Sequence, residues 1–168
     1  MKNVDSTKEK GVVAMKIETI PNYRMAYVRQ VGPYGPANKQ AMERIKSWAA
    51  DNNLLNDKGI YGIPQDNPAE TEPEQCRYDA CIVIPDDFQL EEGMNEGELA
   101  GGEYAVYKVE HTAEAIQKAW VDSLEGLHHS EYQIDHKPVI ERYRQEMVSS
   151  HFCEICVPVK RKDASTLL

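Results

Sequence analysis

The sequence predicts an α+β domain built from two β-α-β-β units that meet around a pseudo-twofold axis. Arg24–Gly32 and Tyr104–Thr112 are similar strand patterns, and each precedes an amphipathic helical stretch. Each half then closes on an alternating strand that ends in proline, at 78–85 and 152–158. Two copies are too few for an open solenoid. We therefore expect one pseudosymmetric domain with a central ligand groove along its dyad.

The elements of the first half follow from local patterns. Apolar and β-branched residues at 16–31 predict a strand, and Gly32–Pro36 ends that strand and begins a helix. One apolar face of this helix is predicted from residues at helical spacing, namely Ala41, Ile45, Trp48 and Ala49. The helix should end at 51–53. The remaining elements are a short strand at 59–64, a turn at 65–68, an acidic linker at 69–75 and a strand at 76–84.

The second half repeats this order after a connector at 86–98. A strand is predicted at 103–110, and Thr112 is the expected N-cap of the second helix. Five residues predict the apolar face of that helix: Ile116, Ala119, Trp120, Leu124 and Leu127. A short strand at 138–143 and a closing strand at 151–157 complete the half. These boundaries predict one domain at 15–160, with repeats at 15–85 and 99–160, between flexible tails at 1–14 and 161–168.

Composition narrows the functional classes. The 168 residues suit one domain with a real core, and 41% of them are hydrophobic. No apolar run approaches the roughly 18 residues that span a bilayer, and the polar start lacks the apolar core of a signal peptide. We therefore expect a cytoplasmic protein without a membrane segment. The net charge of −9 argues against direct nucleic-acid binding and favours cationic partners.

The four cysteines do not form the pattern of a metal site. Cys153 and Cys156 lie three apart in a predicted strand, so their side chains should point to opposite faces of the sheet. That geometry is poor for joint metal ligation or for a disulfide. We expect all four to be buried as small hydrophobic residues, and we predict neither a metal nor a cofactor.

Glu141 is the strongest candidate for a functional side chain. On a strand it shares a face with Val139 and Tyr143, while Ile140 and Arg142 point to the other face. If the first face is interior, burial raises the pKa of this carboxyl group, and a cationic aromatic ligand would supply the missing charge. The pattern equally allows an exposed Glu141 that pairs with Arg142 or with Arg144.

The aromatic residues favour a cavity. The chain has nine tyrosines but only two phenylalanines, and buried tyrosine hydroxyls need hydrogen-bond partners. Tyr27 and Tyr107 occupy equivalent positions when the halves are aligned, and Tyr61 and Tyr143 lie in the two short strands. Trp120 is on the second helix. We predict that these residues line one groove with Glu141, although any one of them alone is more often a packing residue.

These motifs together resemble the GyrI-like domain. That domain is the effector-binding part of some AraC- and MerR-type regulators and also occurs as a stand-alone cytoplasmic protein. The resemblance extends from residue 15 to about 160. It is carried by Gly101–Val106, the helix with Trp120, Pro138–Tyr143, Val31–Gly35, Tyr61–Pro68 and the closing strands that end in proline.

The resemblance implies a duplicated domain whose central groove binds hydrophobic, often cationic, molecules. The groove glutamate of the family falls on Glu141, and its aromatic lining falls on Tyr61, Tyr107, Trp120 and Tyr143. The few residues ahead of Met15 leave no room for a helix-turn-helix, which weakens the interpretation as a regulator. We therefore expect a stand-alone protein that binds a small hydrophobic or cationic ligand.

Two alternatives stay open at this point. Some relatives resemble hydrolases that open the cyclopropane ring of DNA-alkylating compounds, and in that case Glu141 would be catalytic and would orient or deprotonate a water. A namesake of the family protects DNA gyrase from toxins, so gyrase or a regulator could be a protein partner. We rank ligand binding first, hydrolysis second and gyrase modulation third.

Overall fold

The structure is a computed structural model that describes residues 15–144 and 151–162. Two α-helices lie in this part of the chain, α1 (Pro36–Asp51) and α2 (Ala113–His128). A short 3-10 turn occupies Pro73–Gln75. The strands within the described ranges are β1 (Lys16–Ile20), β2 (Tyr23–Val31), β3 (Ile60–Pro64), β4 (Arg77–Val83), β5 (Asn95–Leu99), β6 (Gly102–Glu110), β7 (Tyr132–Ile134), β8 (Ile140–Tyr143) and β9 (Phe152–Arg161).

The strands form an antiparallel sheet in the order β1-β6-β9-β8-β3-β4-β2-β5, and β7 pairs with the distal part of β9. The prediction of a mixed domain with sheet and helices is confirmed. β3 and β8 are neighbours at the middle of this order, and Gly62 lies directly opposite Glu141 in their register. Strands from the two halves of the chain therefore meet at the predicted functional residue.

Two details of the sheet differ from the prediction. The strand predicted at 16–31 is two strands, because Pro21 and Asn22 interrupt it between β1 and β2. The connector at 86–98 is not a plain loop, since it includes most of β5, which pairs with the edge of β2. β5 has the sequence Asn-Glu-Gly-Glu-Leu, and a polar edge strand lacks the apolar alternation from which strands are predicted.

The two faces of the sheet pack against different surroundings, because successive strand residues point to opposite sides. One face is covered by α1 and α2. We call it the helix face, and its sheet residues include Val28, Ala80 and Ile82 from the first half and Tyr107, Val109 and Ile155 from the second. The opposite face has its own apolar cluster, which includes Met25, Tyr61, Val83, Tyr104, Ile140 and Cys156.

The helices bury faces of different character. On α1, Ala41, Ile45 and Ala49 are buried as predicted. On α2 the residues buried against the sheet are mainly small: Ala115, Ala119, Ser123 and Leu127. Trp120 and Leu124, which the pattern placed on the apolar face of α2, are 37% and 46% exposed. The N-cap prediction is confirmed, since Thr112 Oγ1 accepts a hydrogen bond from the Ala115 N–H at 3.0 Å.

The cysteines have the predicted geometry. Cys153 packs in the cluster beneath α2, whereas Cys156 packs on the opposite face of the same strand. All four cysteines are buried and are free thiols. Burial raises the pKa of Cys153 and of Cys156 to about 12, so both thiols stay protonated and unreactive at neutral pH.

The predicted tails fall largely outside the described residues, namely all of 1–14 and 163–168. The start of the second tail is an exception. Arg161 still belongs to β9, and the Lys162 N–H donates to the Glu131 carbonyl at 2.9 Å. The closing strand thus extends into the segment predicted as a tail. Neither helix in the described part of the chain is long and apolar enough to cross a membrane.

Candidate functional site

A cavity of about 1120 Å³ lies where β3 ends and β8 begins. Because the two strands are antiparallel neighbours, these ends meet at one edge of the sheet. The segments 64–68 and 135–139 form two of its walls. Further lining comes from Tyr34 and Glu141 and from Trp120 and Leu124 on α2. The exposed apolar side chains of α2 therefore face a space large enough for an organic molecule.

The carboxyl group of Glu141 is held by two tyrosine hydroxyls. Tyr78 Oη donates to Glu141 Oε1 at 2.9 Å, and Tyr143 Oη donates to the same oxygen at 2.8 Å. Tyr143 is two residues along on the same strand face, whereas Tyr78 reaches over from β4. Both donors use Oε1, and Oε2 accepts no hydrogen bond from the described residues.

The charge of Glu141 is not compensated within the described residues. No basic side chain among them lies within 4.0 Å of it, and its neighbours Arg142 and Arg144 associate with Glu18 and Glu154 instead. Burial raises the pKa of Glu141, and the hydrogen bonds from the two tyrosines offset only part of that rise. The alternative of an exposed Glu141 paired with an arginine is therefore not what the structure shows.

Gly62 makes room for this arrangement. A Cβ at position 62 would overlap the Tyr78 hydroxyl, lie 2.7 Å from Tyr78 Cζ and lie 3.0 Å from Glu141 Oε1. Real Cβ atoms essentially never approach this closely. The missing side chain thus allows a tyrosine from β4 to cross β3 and meet a carboxylate from β8.

We expect Gly62→Ala to lower the free energy of unfolding by about 1–3 kcal/mol, since the methyl group forces buried Tyr78 to move. Urea denaturation measures the change. The matched control is Gly126→Ala on α2, where a Cβ would meet nothing within 4 Å. This control should leave stability unchanged or raise it. Equal stability of the Gly62 variant and the wild type would contradict the close approach.

The wall at 64–68 is fixed by polar contacts. Tyr34 Oη donates to the Arg77 carbonyl at 2.8 Å and accepts from the Asp66 N–H at 3.1 Å. The Asp66 carboxylate accepts three hydrogen bonds of 2.8–2.9 Å from Arg77. These bonds lower the pKa of Asp66 below its ordinary value. The Tyr34 ring also packs edge-on against Tyr78, 6.4 Å between centroids, so this wall is linked to the partner of Glu141.

The wall at 135–139 carries a lysine that is already engaged. Lys137 Nζ donates to the Gly101 carbonyl at 2.8 Å and lies 3.6 Å from Asp135 Oδ2. Three carboxylates line the cavity, those of Asp66, Asp135 and Glu141. The first two have basic partners, Arg77 and Lys137. Glu141 therefore remains the carboxylate of the lining with spare negative charge.

A comparison with known families matches residues 14–160 to the GyrI-like small molecule binding domain. The chain belongs to this family. YosT of Bacillus subtilis (strain 168), which is named as an SPbeta prophage-derived transcriptional regulator, is 40% identical over 145 residues, covering 86% of this chain and 97% of YosT. The DNA gyrase inhibitor of Escherichia coli (strain K12) is 31% identical over 117 residues, covering 67% of this chain and 74% of that protein.

Solved structures share the fold at low identity. EcmrR in a DNA complex has a TM-score of 0.71 and 12% identity, with 95% of this chain matching 62% of EcmrR. SAV2435 bound to tetraphenylphosphonium has a TM-score of 0.57, 15% identity and coverages of 88% and 94%. The hydrolase encoded by lin2189 of Listeria innocua has a TM-score of 0.64, 7% identity and coverages of 94% and 97%. These likenesses concern the fold.

In this GyrI-like domain the predicted site residues divide between the two faces of the sheet. Glu141 and Trp120 line the cavity, and Tyr143 joins it through its bond to Glu141. Tyr107 lies on the same face as Glu141, because both are register partners of Ile155. It is buried in the cluster that packs under α2 and does not line the cavity.

Tyr27 and Tyr61 lie on the opposite face, away from Glu141. Both are register partners of Cys81, and Tyr61 is fully buried with its hydroxyl donating to the Lys58 carbonyl at 3.1 Å. The alignment of Tyr27 with Tyr107 therefore matches residues on opposite faces of the sheet, whereas Ala26 and Val28 of β2 share the helix face with Tyr107. A slip of one residue reverses the face of every side chain.

Two residues of the site, Tyr34 and Tyr78, were not predicted. Tyr34 lies within the motif at 31–35, which indicated the family but not a role for this side chain. Tyr78 alternates with Ala80 and Ile82, which indicates the helix face. Its contact with Glu141 crosses β3, however, and depends on Gly62 at that crossing point. The alternation of residues within β4 therefore cannot predict the contact between Tyr78 and Glu141.

Proposed function

We propose that this GyrI-like domain is a binding module for lipophilic organic cations, held in the cavity beside Glu141. The observation that carries the proposal is the carboxylate itself, which is fixed by two tyrosines through Oε1 and lacks a basic partner among the described residues. A buried charge without a partner is costly, and a cation bound at Oε2 relieves that cost.

The cavity lining supports a large apolar ligand. Trp120 and Leu124 expose apolar surface into it, and Pro64, Pro138 and Val139 add apolar walls. An indole ring next to a bound cation contributes about 0.5–2 kcal/mol of cation–π attraction. We assign Glu141, Tyr143 and Trp120 to direct contact, with Tyr34 and Tyr78 as additional residues of the site. The proposal places Tyr107 beneath α2 and leaves Tyr27 and Tyr61 outside the cavity.

The proposal includes a duplicated architecture for one domain at 15–160. Its units would be β2-α1-β3-β4 and β6-α2-β8-β9, which occupy mirrored places in the strand order. If Val28 is aligned with Tyr107, the strand register makes Gly62 equivalent to Glu141. Val28 and Gly62 are both partners of Ala80, and Tyr107 and Glu141 are both partners of Ile155. Gly62 of the first unit, which has no side chain, would then leave room for Tyr78, and Tyr78 binds Glu141 of the second unit.

Isothermal titration with tetraphenylphosphonium, the molecule bound in the SAV2435 structure, tests the proposal. We expect saturable binding, quenching of tryptophan fluorescence through Trp120, and loss of the quenching but not of folding in Trp120→Leu. Trp48→Leu serves as the matched control on α1, since Trp48 hydrogen-bonds Glu91 and does not line the cavity. Absence of binding at millimolar concentrations, or equal effects of both variants, would contradict the proposal.

Binding should weaken as the pH falls. Burial raises the pKa of Glu141, and only the ionised carboxylate attracts a cation. Full affinity is therefore expected at pH values above the raised pKa and should decline as the pH drops through it. A permanently charged ligand such as tetraphenylphosphonium isolates this effect, since its own charge does not titrate. An affinity that rises on acidification would show that Glu141 is not the partner of the charge.

Hydrolysis is a second candidate function, and it too would depend on Oε2 of Glu141. A carboxylate with a raised pKa and an available Oε2 can act as a general base toward water. Incubation with a cyclopropane-bearing alkylating compound distinguishes the two functions, because catalysis gives many product molecules per protein and binding gives none. Gyrase or a regulator as partner is supported only by the names of relatives.

A further inference from the structure

A second, smaller cavity of about 290 Å³ opens on the sheet face opposite Glu141. It lies between the end of β1 and the loop that precedes β3. Tyr61, Arg142 and Arg144 are among its walls. Its lining is mainly polar or charged, unlike the cavity beside Glu141, so it suits a small hydrophilic molecule.

The charges around this cavity are locally positive. Three basic side chains line it, Lys58, Arg142 and Arg144, together with two acidic ones, Glu18 and Asp57. The balance of one positive charge stands out in a chain whose net charge is −9. A local excess of positive charge in an acidic protein favours a small anion at this place.

Two of the basic groups, Arg144 and Lys58, have hydrogen-bond donors without partners among the described residues, whereas Arg142 does not contribute in this way. Arg142 binds Glu18 and Glu154 with three hydrogen bonds of 2.6–2.9 Å. Arg144 is 3.8 Å from Glu154 and 3.9 Å from Glu18, too far for hydrogen bonds, and its buried Nε has no partner among the described residues. Lys58 likewise has no carboxylate within 4.0 Å in the described part of the chain.

We propose that this cavity binds a small anion with a carboxylate or phosphate group through Arg144 and Lys58. A guanidinium group presents parallel N–H donors that match two oxygens of either group, and an ammonium adds a mobile point charge. Tyr61 is not proposed to contact the anion. Its hydroxyl fixes the Lys58 backbone, because it donates to the Lys58 carbonyl at 3.1 Å. The volume admits phosphate or a short dicarboxylate.

The test is a titration followed by amide and arginine Nε–H resonances in NMR spectra. Sodium phosphate and sodium succinate are added separately at constant ionic strength kept with sodium chloride, so the two arms distinguish the phosphate from the carboxylate. We expect saturable shifts at Arg144 Nε–H and the Lys58 amide with at least one of them. Lys58→Gln and Arg144→Gln should each weaken binding about tenfold.

Two controls complete the test. Lys46→Gln removes the same charge from α1, where Lys46 is 3.4 Å from Glu43, and should leave anion binding unchanged. Glu141→Gln should also leave it unchanged, which separates this site from the cation cavity. Because Lys58 is exposed, its variant remains informative if Arg144→Gln unfolds. Shifts no larger than those from chloride, or equal weakening by Lys46→Gln, would overturn the proposal.

Discussion

Glu141→Gln is expected to weaken binding of an aromatic cation by about 10- to 100-fold while leaving the fold intact. An ion pair shielded from water is worth a few kcal/mol, and each 1.4 kcal/mol is a factor of ten in affinity. The amide oxygen of Gln can still accept the hydrogen bonds of Tyr78 and Tyr143. The variant therefore removes the charge and keeps the shape. Because burial raises the pKa of Glu141, loss of this charge should not lower the melting temperature.

A matched pair of ligands isolates the charge. 10-Methylacridinium and acridine have nearly the same shape, and only the first is charged at pH 8. Fluorescence titration should show a large loss of methylacridinium binding by Glu141→Gln and little change for acridine. Glu43→Gln is the control substitution, since Glu43 lies on α1 with a side chain that is 60% exposed. Equal losses for both ligands would mean that Glu141 acts through the shape of the cavity and not through its charge.

Arg142→Met should lower the free energy of unfolding by about 3–5 kcal/mol, because it leaves a buried carboxylate without its partner. Arg142 is 2% exposed, and its Nε donates to Glu154 Oε1 at 2.6 Å. Its two terminal nitrogens donate to Glu18 at 2.8 and 2.9 Å. Glu154 is equally buried, so removal of the guanidinium takes away its hydrogen-bonded partner and leaves only Arg144, at 3.8 Å. Denaturation in urea at pH 7 measures the loss.

The double variant Arg142→Met/Glu154→Gln separates a stranded charge from lost packing. It should recover a large part of the stability, since the uncompensated carboxylate is gone. Arg161→Met is the control, because Arg161 and Glu131 form an exposed pair, and it should change stability little. If the double variant is no more stable than Arg142→Met, the cost comes from the loss of side-chain volume.

The pH dependence of stability offers a further check on this network. The hydrogen bonds from Arg142 hold the pKa of Glu18 below its ordinary value. A lowered pKa stabilises the fold at pH values above the ordinary pKa of Glu, and that contribution is lost as the pH falls through the lowered pKa. Arg142→Met should therefore flatten this part of the acid-denaturation curve.

The orientation of Glu141 could be predicted, but its partners could not. Period-two alternation in a strand is local, so Val139, Glu141 and Tyr143 were correctly placed on one face. Tyr78 lies 63 residues away along the chain and meets Glu141 across β3. Such a contact depends on strand order and register, which arise from packing between distant segments.

The position of Trp120 illustrates the same limit on a helix. The spacing of apolar residues along α2 predicts an amphipathic helix, but it does not say which of them face the core. The small residues Ala115, Ala119 and Ser123 are buried against the sheet, and Trp120 and Leu124 turn toward the cavity. Close approach of a helix to a sheet is decided by the whole interface.

The amino-acid sequence by itself determined the mixed class, the order of most elements, the family and the candidate glutamate, because these depend on short-range patterns and motifs. The tertiary structure alone decided which aromatic residues share a face with Glu141 and which acids bind Arg142. The physical reason is that strand register and helix rotation are set by long-range packing. A shift of one residue in strand register moves a side chain from one face of the sheet to the other, and so from the cavity to the core.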